Sequence, residues 1–279
     1  MVGYQTLAGI LGLVGLLGYL YAPVLADLAT QWSVDTTFGY GYFIPGVAAY
    51  LAWERRHTLQ PRFTRSSWWG YLLLLGGLAA LLVGRAGGIQ LVARGSLVVV
   101  LVGLTSFLGG WRMARRLAFP IGFLALMIPP PTSLLLKLTW PLQLFTARFS
   151  TEVLRLFGYP VLLNGVYIDL PTVRLEVTEA CSGFRSLIAL GATALLLAYA
   201  TQTRWSSRFL LIASVVPIAI LANAIRVTLN ILLGMYEGTF HSIAGWVVFV
   251  IAAACLYSLA TVLGQRMRPR SHEAPRMAT

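Results

Sequence analysis

From Phe209 to Leu233 the chain runs for 25 residues with a single charged side chain, Arg226. An α-helix rises about 1.5 Å per residue, so a run of this length crosses the roughly 30 Å hydrocarbon core of a bilayer. Comparable apolar runs recur along the chain, separated by short loops that carry arginine. With 58% hydrophobic and 11% charged residues, a water-soluble domain has too little polar surface to stay dispersed. A membrane β-barrel is excluded as well, because its strands would alternate apolar and polar residues over about ten positions.

The pattern predicts an all-α, polytopic membrane helical bundle of about eight transmembrane helices. These cover Tyr4 to Leu25, Phe38 to Trp53, Trp68 to Gly84, Gly95 to Trp111, a short span from Leu117 to the Pro129-Pro130-Pro131 block, Ser182 to Ala200, Phe209 to Leu233 and His241 to Leu263. The first run has no basic lead-in and no clear small-residue cleavage site, so it reads as a retained helix. Residues 1–263 form one transmembrane domain, and 264–279 a basic tail.

Residues 129–181 differ from the rest. Ser133 to Phe157 reads as an amphipathic helix at the interface, with Leu136, Trp140, Leu144, Ala147, Thr151 and Leu154 on its apolar face. Beyond Tyr159 come short β-branched pieces separated by Asn164-Gly165 and Leu170-Pro171, the signature of a small hairpin outside the bilayer.

Net charge +12 and pI near 10.3 could suggest nucleic acid, but the basic residues are dispersed over interhelical loops. Loops 54–67, 112–116, 201–208 and the tail hold 13 arginines and two acids, against six basic residues and seven acids on the opposite side. The positive-inside rule then makes both termini cytoplasmic and puts segment 129–181 on the outer face.

Three polar groups stand out against this apolar background. Cys181 is predicted in the first turn of the sixth helix, where unpaired N–H groups and the helix dipole favour an anionic nucleophile. Arg185, four residues on, would share its face, and Glu179 would oppose the effect. Read by themselves, Cys181-Ser182-Gly183 fit equally well as small residues that let helices approach. Arg226 lies about 10 Å inside the bilayer by helical rise and needs a partner or a polar cavity. With Asn223 and Asn230 it forms one stripe at i, i+3 and i+7.

His241 opens the last helix on the outer side. A thiol, an imidazole and a guanidinium on one face would supply nucleophile, general acid/base and oxyanion clamp. One Cys and one His fall short of a zinc set, so no metal or other cofactor is expected. The polar stripe alone also suits a small multi-pass transporter or channel, and that reading stays open at this level. So does a membrane thiol protease that only hydrolyses.

The segments Glu179-Ala-Cys181-Ser-Gly183 with Arg185-Ser-Leu, Asn223-Ala-Ile-Arg226-Val, and Phe240-His241-Ser-Ile-Ala-Gly245 resemble the three motifs of the exosortase/archaeosortase family of membrane cysteine transpeptidases. Ile44-Pro45, Trp53-Glu-Arg-Arg, Phe119-Pro to Ile128-Pro-Pro and Pro141-Leu-Gln agree with it. Asp35-Thr36 and Tyr40-Gly41 stand where the family has Asp-Pro and His-Gly. The resemblance implies Cys181 as nucleophile, His241 as general acid/base and Arg226 as transition-state stabiliser, in a bacterial cytoplasmic (inner) membrane. The implied partners are C-terminal sorting tails of secreted proteins, each with a Pro-Glu-Pro-type motif, a hydrophobic helix and a basic end. The acceptor, an amine or a lipid, is left unnamed.

Overall fold

The computed structural model describes residues 4–35, 37–58, 67–235 and 239–266. Arg62, Arg65, the Asp35-Thr36 pair at Thr36, and the tail beyond Arg266 lie outside the described residues. Eight α-helices are present among them: α1 (Tyr4–Val34), α2 (Phe43–Glu54), α3 (Trp68–Ala86), α4 (Gln90–Phe123), α5 (Thr132–Leu156), α6 (Phe184–Thr201), α7 (Trp205–Leu232) and α8 (Thr239–Arg266). Six helical stretches, in α1, α3, α4, α6, α7 and α8, are long and apolar enough to cross a membrane. The architecture is that of a multi-pass helical membrane protein. The chain divides into two compact units, 1–131 and 132–279.

In the first unit, the fourth and fifth predicted helices are the two arms of α4, separated by a non-helical break at Gly110 (φ 70, ψ 178). Two hydrogen-bond sets show that it folds back there. Arg94, near the start of α4, donates to Asp27 and Gln31 of α1, and Trp32 of α1 donates its indole N–H to the carbonyl of Met127 at 3.0 Å. In a straight helix, residues 94 and 127 would be about 50 Å apart. The left-handed φ at Gly110 makes the reversal accessible without steric strain. Arg115 and Arg116 follow it, and Arg55 at the end of α2 donates to the Arg116 carbonyl at 2.7 Å, so two of the predicted basic loops are neighbours.

The predicted second helix is shorter than expected. A 3₁₀ turn, Gly39–Tyr42, takes its first residues, and α2 keeps 12, below the roughly 17 needed to span alone.

Helices α3 and α4 pack through glycine. Gly70, Gly77 and Gly84 recur every seven residues on α3, and a Cβ at any of them would collide with Ser106–Phe107, Val100 or Ala93 of α4. With little hydrophobic drive between helices in lipid, such close approach is what supplies packing energy. Arg94 is 4% exposed. Asp27, Gln31 and Gln90 together accept its N–H groups, as a buried guanidinium requires.

In the second unit, α5 is amphipathic as expected, but its buried side is the polar one. Thr139, Gln143, Thr146, Ser150 and Thr151 are buried with Ala147 and Leu154, whereas Leu136 and Trp140 are about half exposed, at 49% and 55%. The periodicity rule for water inverts in lipid: acyl chains solvate the apolar face, and small polar side chains turn inward to pair with α7. Thr228 of α7 donates to Ser150 at 3.0 Å, and Asn223 of α7 donates to Thr146 at 3.3 Å.

The predicted hairpin is a three-stranded antiparallel sheet. It comprises β1 (Leu162–Asn164), β2 (Tyr167–Asp169) and β3 (Arg174–Glu176), in the order β1-β2-β3. Gly165 (φ 63) makes the first turn. Ile168 is fully buried in a cluster with Ala147, Leu154, Val177, Val227 and Ile231, which seats the sheet against α5 and the end of α7. An open sheet edge cannot face hydrocarbon, so this seat lies outside the bilayer core. A second cluster, including Leu190, Ala194, Leu211, Val215, Ala219 and Leu256, joins α6, α7 and α8.

Candidate active site

The segment leaving β3 carries the thiol. Glu179–Cys181 form a 3₁₀ turn, and α6 starts only at Phe184. Cys181 therefore precedes the helix instead of occupying its first turn, and its expected i, i+4 pairing with Arg185 on one helical face does not apply. The reason is local: Gly183, the N-cap, has φ 84, a left-handed conformation that breaks the helix between them. Ser182 stabilises the joint, donating its hydroxyl to the Glu179 carbonyl at 2.7 Å while accepting the Phe184 N–H at 3.2 Å.

Asn223 fixes the turn from α7. Its amide donates to the Cys181 carbonyl at 2.7 Å and to the Thr146 hydroxyl, so one buried side chain ties the thiol's backbone to both α7 and α5. Gly183 is packed against it: a Cβ there would lie 2.8 Å from Asn223 Cβ and Cγ. Gly183→Ala is expected to destabilise the protein by about 2 kcal/mol or more, from left-handed strain plus the collision with Asn223. Thermal unfolding in detergent checks it, and a wild-type midpoint would contradict this account of the joint.

Arg226 stands one turn further along α7. Its guanidinium lies within electrostatic range of the Cys181 side chain and of Arg185. Its Nε is buried with no partner among the described residues, as is Asn223 Oδ1. On its other side the guanidinium passes along α8 at Gly245, where an added Cβ would sit 3.5 Å from Nη1. Position 241 belongs to α8, one helical turn before Gly245; the His241 side chain lies outside the described residues.

Three of the predicted residues, Cys181, Asn223 and Arg226, thus come together. Asn230 is buried on the same stripe of α7. Arg185 and Glu179 are exposed, and Glu179 instead borders a cleft of about 870 Å³ between α5 and residues 176–179. Cys181 and Cys255 are both free thiols.

Sequence reasoning missed Thr146 and Gln143. Their signal was the polar row Thr139, Gln143, Thr146 and Ser150, spaced by four, three and four residues, which marks one helical face.

Fold and site together define a multi-pass membrane protein in which a half-buried guanidinium on the polar stripe of α7 stands close to a free thiol. The chain belongs to the transmembrane exosortase family (Exosortase_EpsH), whose model matches residues 32–258. It is accordingly a membrane transpeptidase of the exosortase type, and the matched span contains Cys181, Arg226 and His241. No curated protein and no solved structure matches the chain.

Proposed function

We propose that this protein cleaves C-terminal sorting tails of secreted proteins at the outer face of the cytoplasmic membrane, through a thioester on Cys181. The observation that carries the reading is the meeting of α7 with the Cys181 turn, where Asn223 donates to the Cys181 carbonyl at 2.7 Å and the Arg226 guanidinium stands within electrostatic range of the thiol, which pairs a nucleophile with a cation that can follow the charge onto an oxyanion.

A tail held with its basic end inside presents its motif beside Cys181. Sγ attacks the scissile carbonyl carbon, and the thiol proton passes to His241. Charge on the carbonyl oxygen is met by Arg226. His241 then delivers the proton to the departing amine as the C–N bond breaks, leaving the acyl group on sulfur. An incoming amine, or water, attacks the thioester, and the proton it loses restores the thiol. Asn223 holds the Cys181 backbone in register throughout. Arg185 adds positive charge, while Asn230 and Glu179 frame the site.

The polar stripe on α7 gives less support to a transporter or channel, because Asn223 and Arg226 are engaged with Cys181 instead of facing an open path.

The test is to incubate the protein in liposomes with a synthetic tail peptide and hydroxylamine. The expected product is the upstream fragment ending in a hydroxamate, identified by mass. Absence of any cleavage, or a product made without passage through an enzyme-bound thioester, would sink the proposal.

A further inference from the structure

We propose that the acyl-side segment of the substrate tail docks as a fourth strand on the free edge of β3, running parallel to it toward Cys181. The proposal rests on Cys181 being the nucleophile.

The phase of the sheet sets which groups are offered. Strand β3 pairs β2 with Ile168 opposite Leu175 and Tyr167 opposite Glu176. The flanking bonds, Val177 N–H to the Val166 carbonyl at 3.0 Å and Leu170 N–H to the Val173 carbonyl at 2.9 Å, show that residues 173, 175 and 177 turn their main-chain groups toward β2. The main-chain groups of Arg174 and Glu176 therefore turn the other way, where no further strand lies. Among the described residues neither of their N–H groups has a backbone partner. The Glu176 carbonyl accepts the Thr178 N–H at 3.1 Å, and the outward N–H groups that stay open offer an extended peptide a template.

The edge is bordered by the cleft. Glu176, Thr178 and Glu179 form one wall, and Lys137, Trp140 and Gln143 of α5 stand on the other. The volume, about 870 Å³, is within the range that holds a short peptide segment. Gln143 is 6% exposed yet has no hydrogen-bond partner among the described residues. Its side-chain amide carries both a donor and an acceptor, which suits the main chain of a bound peptide. Exposed Trp140 beside it offers an apolar surface for a side chain of the incoming strand.

Direction follows from connectivity. Strand β3 runs from Arg174 through Glu176 into the turn that ends at Cys181. The residues upstream of a scissile carbonyl also end at Cys181, so a tail lying along β3 runs the same way. Only every second residue of a strand turns its N–H toward a given neighbour, so recognition would alternate along the tail.

The experiment is an N-methyl scan of the six residues upstream of the cleavage point in a synthetic tail peptide, using the wild-type full chain in liposomes. Methylation at alternate residues is expected to lower kcat/KM by about tenfold, the scale of one lost hydrogen bond, with intervening positions much less affected. A flat profile, as a lipid headgroup in the cleft would give, overturns the proposal.

A protein-side test uses Glu176→Pro, which removes the outward N–H while leaving the bonds of residues 175 and 177 to β2. It is expected to lose about tenfold in kcat/KM, while alkylation of Cys181 by iodoacetamide stays within about twofold of wild type. Wild-type kcat/KM in this variant also overturns the proposal. The two readings fail separately. If Cys181→Ala still processes the unmodified peptide, the nucleophile assignment falls; processing that needs Cys181 but shows a flat scan removes only the docking strand.

Discussion

Cys181→Ala is expected to abolish tail processing, with a loss on the order of 10⁴-fold or more, because no second group at the site can form an acyl intermediate. Cys255 lies in α8 and is exposed, so it offers no substitute. Cys181→Ser is expected to be nearly as inactive, since a hydroxyl at this position keeps the geometry but is a far weaker nucleophile near neutral pH. Both replacements are small, and the contacts that hold the turn use the Cys181 carbonyl and the Ser182 hydroxyl instead of the thiol, so folding should survive. Mass analysis of the peptide products over hours provides the measurement. Processing by the alanine variant at even a tenth of the wild-type rate would remove Cys181 from the chemistry.

Arg226→Ala should cost about 10² to 10³ in kcat, the scale seen when one oxyanion donor is removed from a preorganised site. The deficit should fall mainly on kcat, because the proposed role strengthens as charge develops on the carbonyl oxygen. Arg226→Lys keeps the charge but loses the planar fork that reaches Cys181 while lying along Gly245, so only partial recovery is expected. A variant whose KM rises while kcat is unchanged would make Arg226 a substrate-binding group and not a transition-state partner. A purely structural Arg226 would instead lower the unfolding midpoint with kcat preserved in the surviving fraction.

Much of this site was legible in one dimension because its residues lie in contiguous motifs on separate helices. The stripe of Asn223, Arg226 and Asn230 follows from helical spacing, and the structure keeps it on one face of α7. The segment after Tyr159 announced its turns through Asn164-Gly165 and Leu170-Pro171, and both strand breaks fall there. The third strand was harder to read because three residues carry almost no periodicity. Cys181 was misplaced by a few residues for a definable reason. Helix propensity does not distinguish a glycine inside a first turn from one at φ 84 packed against Asn223.

The inward face of α5 illustrates a different limit. Hydrophobic periodicity locates a helix's two faces but not which one is buried, and in lipid the apolar face needs no protein cover. The fold-back of α4 had a sequence sign in Gly109-Gly110 beside the arginine cluster, yet only the hydrogen bonds that tie Arg94 and Met127 to one end of α1 establish the reversal.

The sequence by itself determined that this is a helical membrane protein and where its long apolar runs lie, because hydrophobic length is a property of a linear chain. Only the tertiary structure decided that the thiol, the asparagine and the guanidinium meet, that α8 passes Arg226 at Gly245, and that β3 ends its free edge beside a cleft. Those outcomes depend on which helices pack together, and that choice rests on small-residue contacts and a few polar bonds between segments tens of residues apart.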